Sequence, residues 1–187
     1  MKKFLLSAVL GLAACGAWAE KADSNKPTEI AYDTLDVDDV TQTKTLTGNV
    51  VLTRGTLVMH AEKAVVTADP EGYQSVTLTA APGKLATFRQ KRDGGPDLWV
   101  EGQAERIDYS ERNELVKLFA KAQIRQLEGG ALSNEIDSEF ISYDSRKEVF
   151  IVRNDPSGVN KPGKGRGKLI IAPRKPAAAG AAPAGQP

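Results

Sequence analysis

Between Thr28 and Ala172, hydrophobic and polar residues alternate in short runs broken by Gly, Pro, Asp and Asn. In the stretch 43–66, "TKTLTGNVVLTRGTLVMHAEKAVV", Leu46, Gly48, Val50 and Leu52 fall on one side. Thr45, Thr47, Asn49 and Thr53 fall on the other, with Val51 the apolar exception. A period of two is the signature of a strand with one dry face. The same pattern predicts strands at 28–37, 44–53, 56–67, 73–80, 84–91, 97–108, 113–127, 132–143, 147–153 and 168–172. Turn signals separate them, among them Arg54-Gly55, "ADPEG" at 68–72, "RDGGP" at 92–96 and "NDPSG" at 154–158. Strands this short and this evenly spaced predict an all-β fold: a sandwich, a barrel or a jellyroll-like stack.

The pattern also repeats. Leu46 to Leu52 lines up with Leu118 to Ile124 at a spacing of 72, and "LDVDD" at 35–39 lines up with "IDYSE" at 107–111 at the same spacing. "AEKAVV" at 61–66 matches "SEFISY" at 138–143 at a spacing of 77, with the extra residues in the loop between. A three-strand meander used twice predicts an elongated stack rather than a closed globule. In the second copy Val116, Leu118, Ala120, Ala122 and Ile124 form the dry stripe, opposite Lys117, Lys121, Gln123 and Arg125. Each stripe has a small residue at its centre, Gly48 or Ala120. Glycine within a strand marks a close approach, a bend, or relief of crowding.

Composition changes the picture at the two ends. "MKKFLLSAVLGLAACGAWAE" carries two lysines, an apolar run and Ala17-Trp18-Ala19 before Glu20, which predicts a secretory signal peptide over 1–19. Leu12-Ala13-Ala14-Cys15 offers a second reading, a lipid-modified cysteine that anchors the chain. Cleavage after Ala19 leaves no cysteine, so an exported chain must hold by burial and backbone pairing alone. Of 25 Lys+Arg and 24 Asp+Glu, losing Lys2 and Lys3 leaves 23 against 24, a near-neutral balance that argues against nucleic acid as a partner. Residues 20–27 read as a flexible lead-in and 173–187, rich in Ala and Pro, as a disordered tail. The domain proper is 28–172.

No catalytic constellation emerges. His60 is the single histidine and alternates to the polar side of its run, so Cys/His and His-rich metal chemistry have no donors. "DVDD" at 36–39 lacks the glycine and terminal glutamate of a calcium loop and reads as a solvated turn. "KPGKGRGK" at 161–168 has neither the spacing nor the following helix of a phosphate loop, and reads as a connector. The expectation is a protein that is not an enzyme, with no cofactor and no metal.

"LTGNVVLTRGTLVMHAEKAVV", "PGKLATFRQ" and "VEGQAERIDYSERNELVKLFAKAQI", in that order behind a signal peptide, resemble the OstA-like family of periplasmic lipopolysaccharide transport proteins. The resemblance covers 28–172. It implies an open, twisted β-jellyroll of stacked antiparallel strands with a hydrophobic interior. It also implies units stacked end to end between inner-membrane and outer-membrane components of the same fold, as a possible head-to-tail homo-oligomer, with lipopolysaccharide acyl chains inside. On that reading the inward, lipid-facing residues are Ile30, Val37, Leu46, Gly48, Val50, Leu52, Leu57, Met59, Leu78, Phe88, Val100, Val116, Leu118, Ala120, Ala122, Ile124 and Ile136. The end-pairing edges carry Thr28, Ile30 and Tyr32 at one end and Leu169, Ile170 and Ile171 at the other. A Cys15-anchored docking factor of the same fold and a non-lipid structural or carbohydrate-binding β-repeat are the alternatives. The aromatic platforms of a carbohydrate site are scarce at 6% aromatic residues.

Overall fold

The computed structural model describes residues 23–95 and 97–173, which leaves the predicted signal peptide, Cys15 and the Ala/Pro tail from 174 outside the described residues. The strands are β1 (Glu29–Ala31), β2 (Thr34–Asp38), β3 (Thr43–Arg54), β4 (Leu57–Ala68), β5 (Gln74–Thr79) and β6 (Ala86–Lys91). They continue as β7 (Leu98–Ala104), β8 (Arg106–Ser110), β9 (Leu115–Glu128), β10 (Ala131–Asp144), β11 (Val149–Arg153) and β12 (Lys168–Ile171). Every pairing is antiparallel.

Two strands expected to be continuous are broken. The run 28–37 is β1 and β2 with Tyr32 and Asp33 between them, and 97–108 is split at Glu105 into β7 and β8. The cause lies in the neighbouring strand. Gly48 and Asn49 in β3 both take left-handed conformations (φ 79° and 46°), as do Ala120 and Lys121 in β9 (φ 61° and 51°). The register then slips from Thr47↔Lys63 to Val50↔Ala61, and from Phe119↔Phe140 to Ala122↔Ser138, so three residues span what two span on the partner. These are β-bulges, which bend a strand and increase its twist. Asp33 N–H donates to the carbonyls of Thr47 and Gly48, and Glu105 N–H donates to that of Ala120, so the edge chain breaks where its neighbour bends.

The bends fold one continuous sheet lengthwise into two facing arms. In the first arm the order is β2, β3, β4, β5, β8, β9, β10, β11. In the second, β1 pairs the far half of β3, β4 pairs β6, β6 pairs β7, β7 pairs β9, and β12 pairs β10. Strands β3, β4, β9 and β10 run through both arms. The second arm's Val50, Leu52, Met59, Phe88, Val100 and Ile124 meet the first arm's Leu46, Val66, Leu78, Ile107, Leu118 and Tyr143 in one buried cluster. Most of these are no more than 2% exposed, and each large apolar side chain so buried contributes about 1.5–3 kcal/mol.

The repeat is larger than the meander expected. Strands β1 to β6 correspond one by one to β7 to β12: β1, β2 and β3 shift by 72 onto β7, β8 and β9, and the two bulges coincide under that shift. Leu46↔Ala64 maps onto Leu118↔Ile141, which reproduces the spacing of 77 for the fourth strand.

Candidate functional site

The interior, its two ends and the long side opposite the bends are the features to which chemistry can be attached. Leu46, Val50, Leu52, Leu57, Met59, Leu78, Phe88, Val100, Val116, Leu118, Ala122 and Ile124 all lie in the buried cluster, and Ile30 and Ile136 pack against it half-buried. Alternation alone missed Ala64, Val66, Val76, Ala86, Ala104, Ile107, Tyr109, Ile141 and Tyr143, which complete it. Parity changes hid several of them: between Ala61 and Ala64 in β4 and between Ile136 and Ile141 in β10, each opposite a bulge, and at the break at Glu105 for Ile107 and Tyr109.

Gly48 and Ala120, expected inside the stripe, are instead the bends. A Cβ at Gly48 would collide with the Asp33 carboxylate rather than enter the interior. Gly102 has the close approach that a strand glycine signals: the ring of Phe88 occupies the space a Cβ there would need.

At one end β1 and β2 pair only with β3, and at the other β11 and β12 pair only with β10. Strand β11 belongs to the second edge, although only Leu169, Ile170 and Ile171 were expected there. Inner-face residues stand exposed at both ends: Val37 at 53% and Leu35 at 39%, against Leu169 at 60% and Ile171 at 71%. Phe150 and Val152, opposite Tyr143 and Ile141, also face inward. Ile170 has the opposite parity and turns away from the interior. Thr28 and Tyr32 flank β1 without belonging to it.

The side opposite the bends is polar. Arg54, last in the inner stripe of β3, donates to the hydroxyl of Tyr109 at 2.8 Å and lies 3.3 Å from the Glu111 carboxylate. It also donates to the carbonyls of Ser24 and Lys26. Asp23 is buried and accepts from the Thr56 N–H at 2.8 Å and from its hydroxyl. The predicted flexible lead-in is therefore docked from Asp23 onward. Burial pushes the Tyr109 phenol above its ordinary pKa, against the opposing pull of the Arg54 cation. Further along, Arg92 pairs with Glu148 at 2.8 Å.

The other candidates resolve into structure. His60 is exposed on the polar face opposite Val51. Asp38 of "DVDD" accepts from the N–H groups of Val40 and Thr41, and those bonds hold its carboxyl below the usual range. Residues 161–167 lie in the exposed link from β11 to β12, anchored where Asp155 accepts from Ser157 and Lys161. Among the described residues no group of three or more His, Cys, Asp or Glu is placed to hold a metal.

A single sheet folded over a continuous apolar interior, built from two tandem units and open at both ends, defines the class: an open β-jellyroll. The model of the LptA/(LptD N-terminal domain) LPS transport protein family matches residues 29–149, and the chain belongs to that family. It is similar to the lipopolysaccharide export system protein LptA of Haemophilus influenzae, 32% identical over 171 residues and 91% of each chain. It is also similar to LptA of Escherichia coli K12, 33% identical over 146 residues, 78% of this chain and 76% of the other. The crystal structure of LptH from Pseudomonas aeruginosa, described as the LptA-homologous periplasmic component of the lipopolysaccharide transport device, superposes with a TM-score of 0.69. It is 22% identical and covers 81% of this chain and 99% of its own, a likeness that supports the fold.

Proposed function

We propose that this protein is a periplasmic carrier that bridges the two membranes, sheltering lipopolysaccharide acyl chains between its arms and stacking end to end with units of the same fold. The observation that carries the reading is the continuity of the apolar interior from the exposed inner residues of β1 and β2 to those of β11 and β12. Each acyl CH₂ moved from water into such an interior is worth about 0.8 kcal/mol, so the lipid follows an unbroken dry path and resists leaving it. A passive path of repeated units has no direction of its own, so the driving force comes from a partner at the inner membrane.

The ends fit the same role. Unpaired strand edges recruit further strands. Inside the chain, β5 pairs β8 and β6 pairs β7 to join the first repeat to the second. The same rule applied to the free edges sets β11 against β2 of the next copy and β12 against β1. Phe150 then faces Val37, Val152 faces Leu35, and Leu169 faces Ile30, which covers the inner residues left exposed at each end.

Photo-crosslinking residues at Val50 and Leu118, inside, and at Thr47 and Lys117, outside or at the bend, test the carrier reading in growing cells. Lipopolysaccharide adducts at the first pair alone are expected. Exported, stable variants without adducts at either pair would refute it.

A further inference from the structure

We infer that the long side opposite the bends is a clasped mouth, held shut by Arg54 and Arg92, and that lipid enters the interior by parting it. The inference rests on the proposed carriage of acyl chains. Leu52, Met59, Leu78 and Leu118 are 0% exposed. An acyl chain therefore finds room only when the arms move apart.

The arms are not free to separate at the bends, because β3, β4, β9 and β10 run unbroken from one to the other and the links β5–β6 and β11–β12 also lie on that side. On the opposite side each connection is a hairpin that stays within one arm: Arg54 to Leu57, Lys91 to Leu98 and Glu128 to Ala131 in the second, and Asp38 to Thr43, Ala68 to Gln74, Ser110 to Leu115 and Asp144 to Val149 in the first. Among the described residues, Arg54 and Arg92 bridge the arms there through their side chains.

Arg54 closes β3 in the second arm and reaches Tyr109 and Glu111, both from the end of β8 in the first. Arg92, just past β6 in the second arm, reaches Glu148 in the β10–β11 turn of the first. The arginine side chains are 7% and 18% exposed and their carboxylate partners 21% and 35%, so these charge-assisted bonds are partly shielded from water and stronger than open surface pairs. The Ser24 and Lys26 carbonyls brace Arg54 from outside. The second repeat has no such crossing at the matching position: Gln126 accepts from Asn134 within its own arm. The clasp thus closes the middle of the body and leaves the ends to the stacking partners. Unlike a backbone ladder, it is a few side-chain contacts that break and remake without disturbing the strands.

The test uses the full chain with Cys15→Ser, Arg92→Cys and Glu148→Cys, a photo-crosslinking residue at Val50, and purified lipopolysaccharide. One sample is bridged with a short bis-maleimide and the other is capped with N-ethylmaleimide. Bridging is expected to slow adduct formation at Val50 at least ten-fold relative to capping. Equal rates would overturn entry through the mouth. Adducts in neither sample would overturn acyl-chain carriage itself. Should the cysteine-pair variant fail to fold by circular dichroism, Arg54→Gln decides the matter. Uptake several-fold faster than in the parent is expected, and unchanged or slower uptake would overturn the clasp.

Discussion

Gly48→Ala isolates the bend that turns one sheet into two arms. At φ 79° an L-residue meets its own carbonyl, at a cost of roughly 1–2 kcal/mol relative to glycine. The added methyl group would also collide with the Asp33 carboxylate, which accepts from the Asn49 amide at 3.1 Å and must swing away. The second repeat provides an internal reference. Ala120 already adopts φ 61° at the equivalent position, with Glu105 in place of Asp33. The backbone therefore tolerates alanine in this bulge, and the excess cost of Gly48→Ala over that of the conformation alone belongs to Asp33. Asp33→Ala in the Gly48→Ala background is expected to recover that excess. Ala120→Gly is expected to be neutral or to stabilise by up to about 1 kcal/mol, since glycine adopts this conformation without strain. With Asp33→Ala alone as the reference, thermal unfolding followed by circular dichroism measures all five proteins, and a change of 1 kcal/mol moves the melting temperature by about 2–4 °C in a domain of this size. A neutral Gly48→Ala, or equal costs with and without Asp33, would refute the account of the bend.

Two further outcomes follow from the free edges and the charged rim. Cysteines at Val37 on one copy and Phe150 on another are expected to form an inter-chain crosslink, whereas Val37 with Ile151, which faces outward, is not; the reverse, read on a non-reducing gel, would refute the register carried over from β5 and β8. Hydrogen bonds from Arg112 hold the Asp69 carboxyl below its ordinary pKa. Its contribution to stability is therefore complete above the unfolded value near 4 and disappears as pH falls through the lower folded value. Arg112→Gln is expected to flatten that acid limb in thermal melts at graded pH, and an unchanged profile would refute the assignment.

Period-two alternation sufficed to locate nearly every strand, the dry stripe and the two-fold repeat, because each strand's inward residues must be apolar wherever they meet a shared core. Ile30 and Leu169 were read as edge residues because they are apolar residues of the first and last strands, and each pairs on one side alone, with Leu52 and Ile136. What alternation does not carry is the direction in which a strand bends. Gly48 and Ala120 look like members of the stripe until the pairing with β4 and β10 shows three residues spanning two, a property of the partner strand as much as of their own. The breaks at Asp33 and Glu105 follow from those bends and were hidden with them. Arg54 was invisible as a functional residue because a charged residue at a hairpin reads as solvent-facing. Only the folded sheet brings it within reach of Tyr109, 55 residues away, where a shielded charge is tolerable because the Glu111 carboxylate and two backbone carbonyls satisfy it.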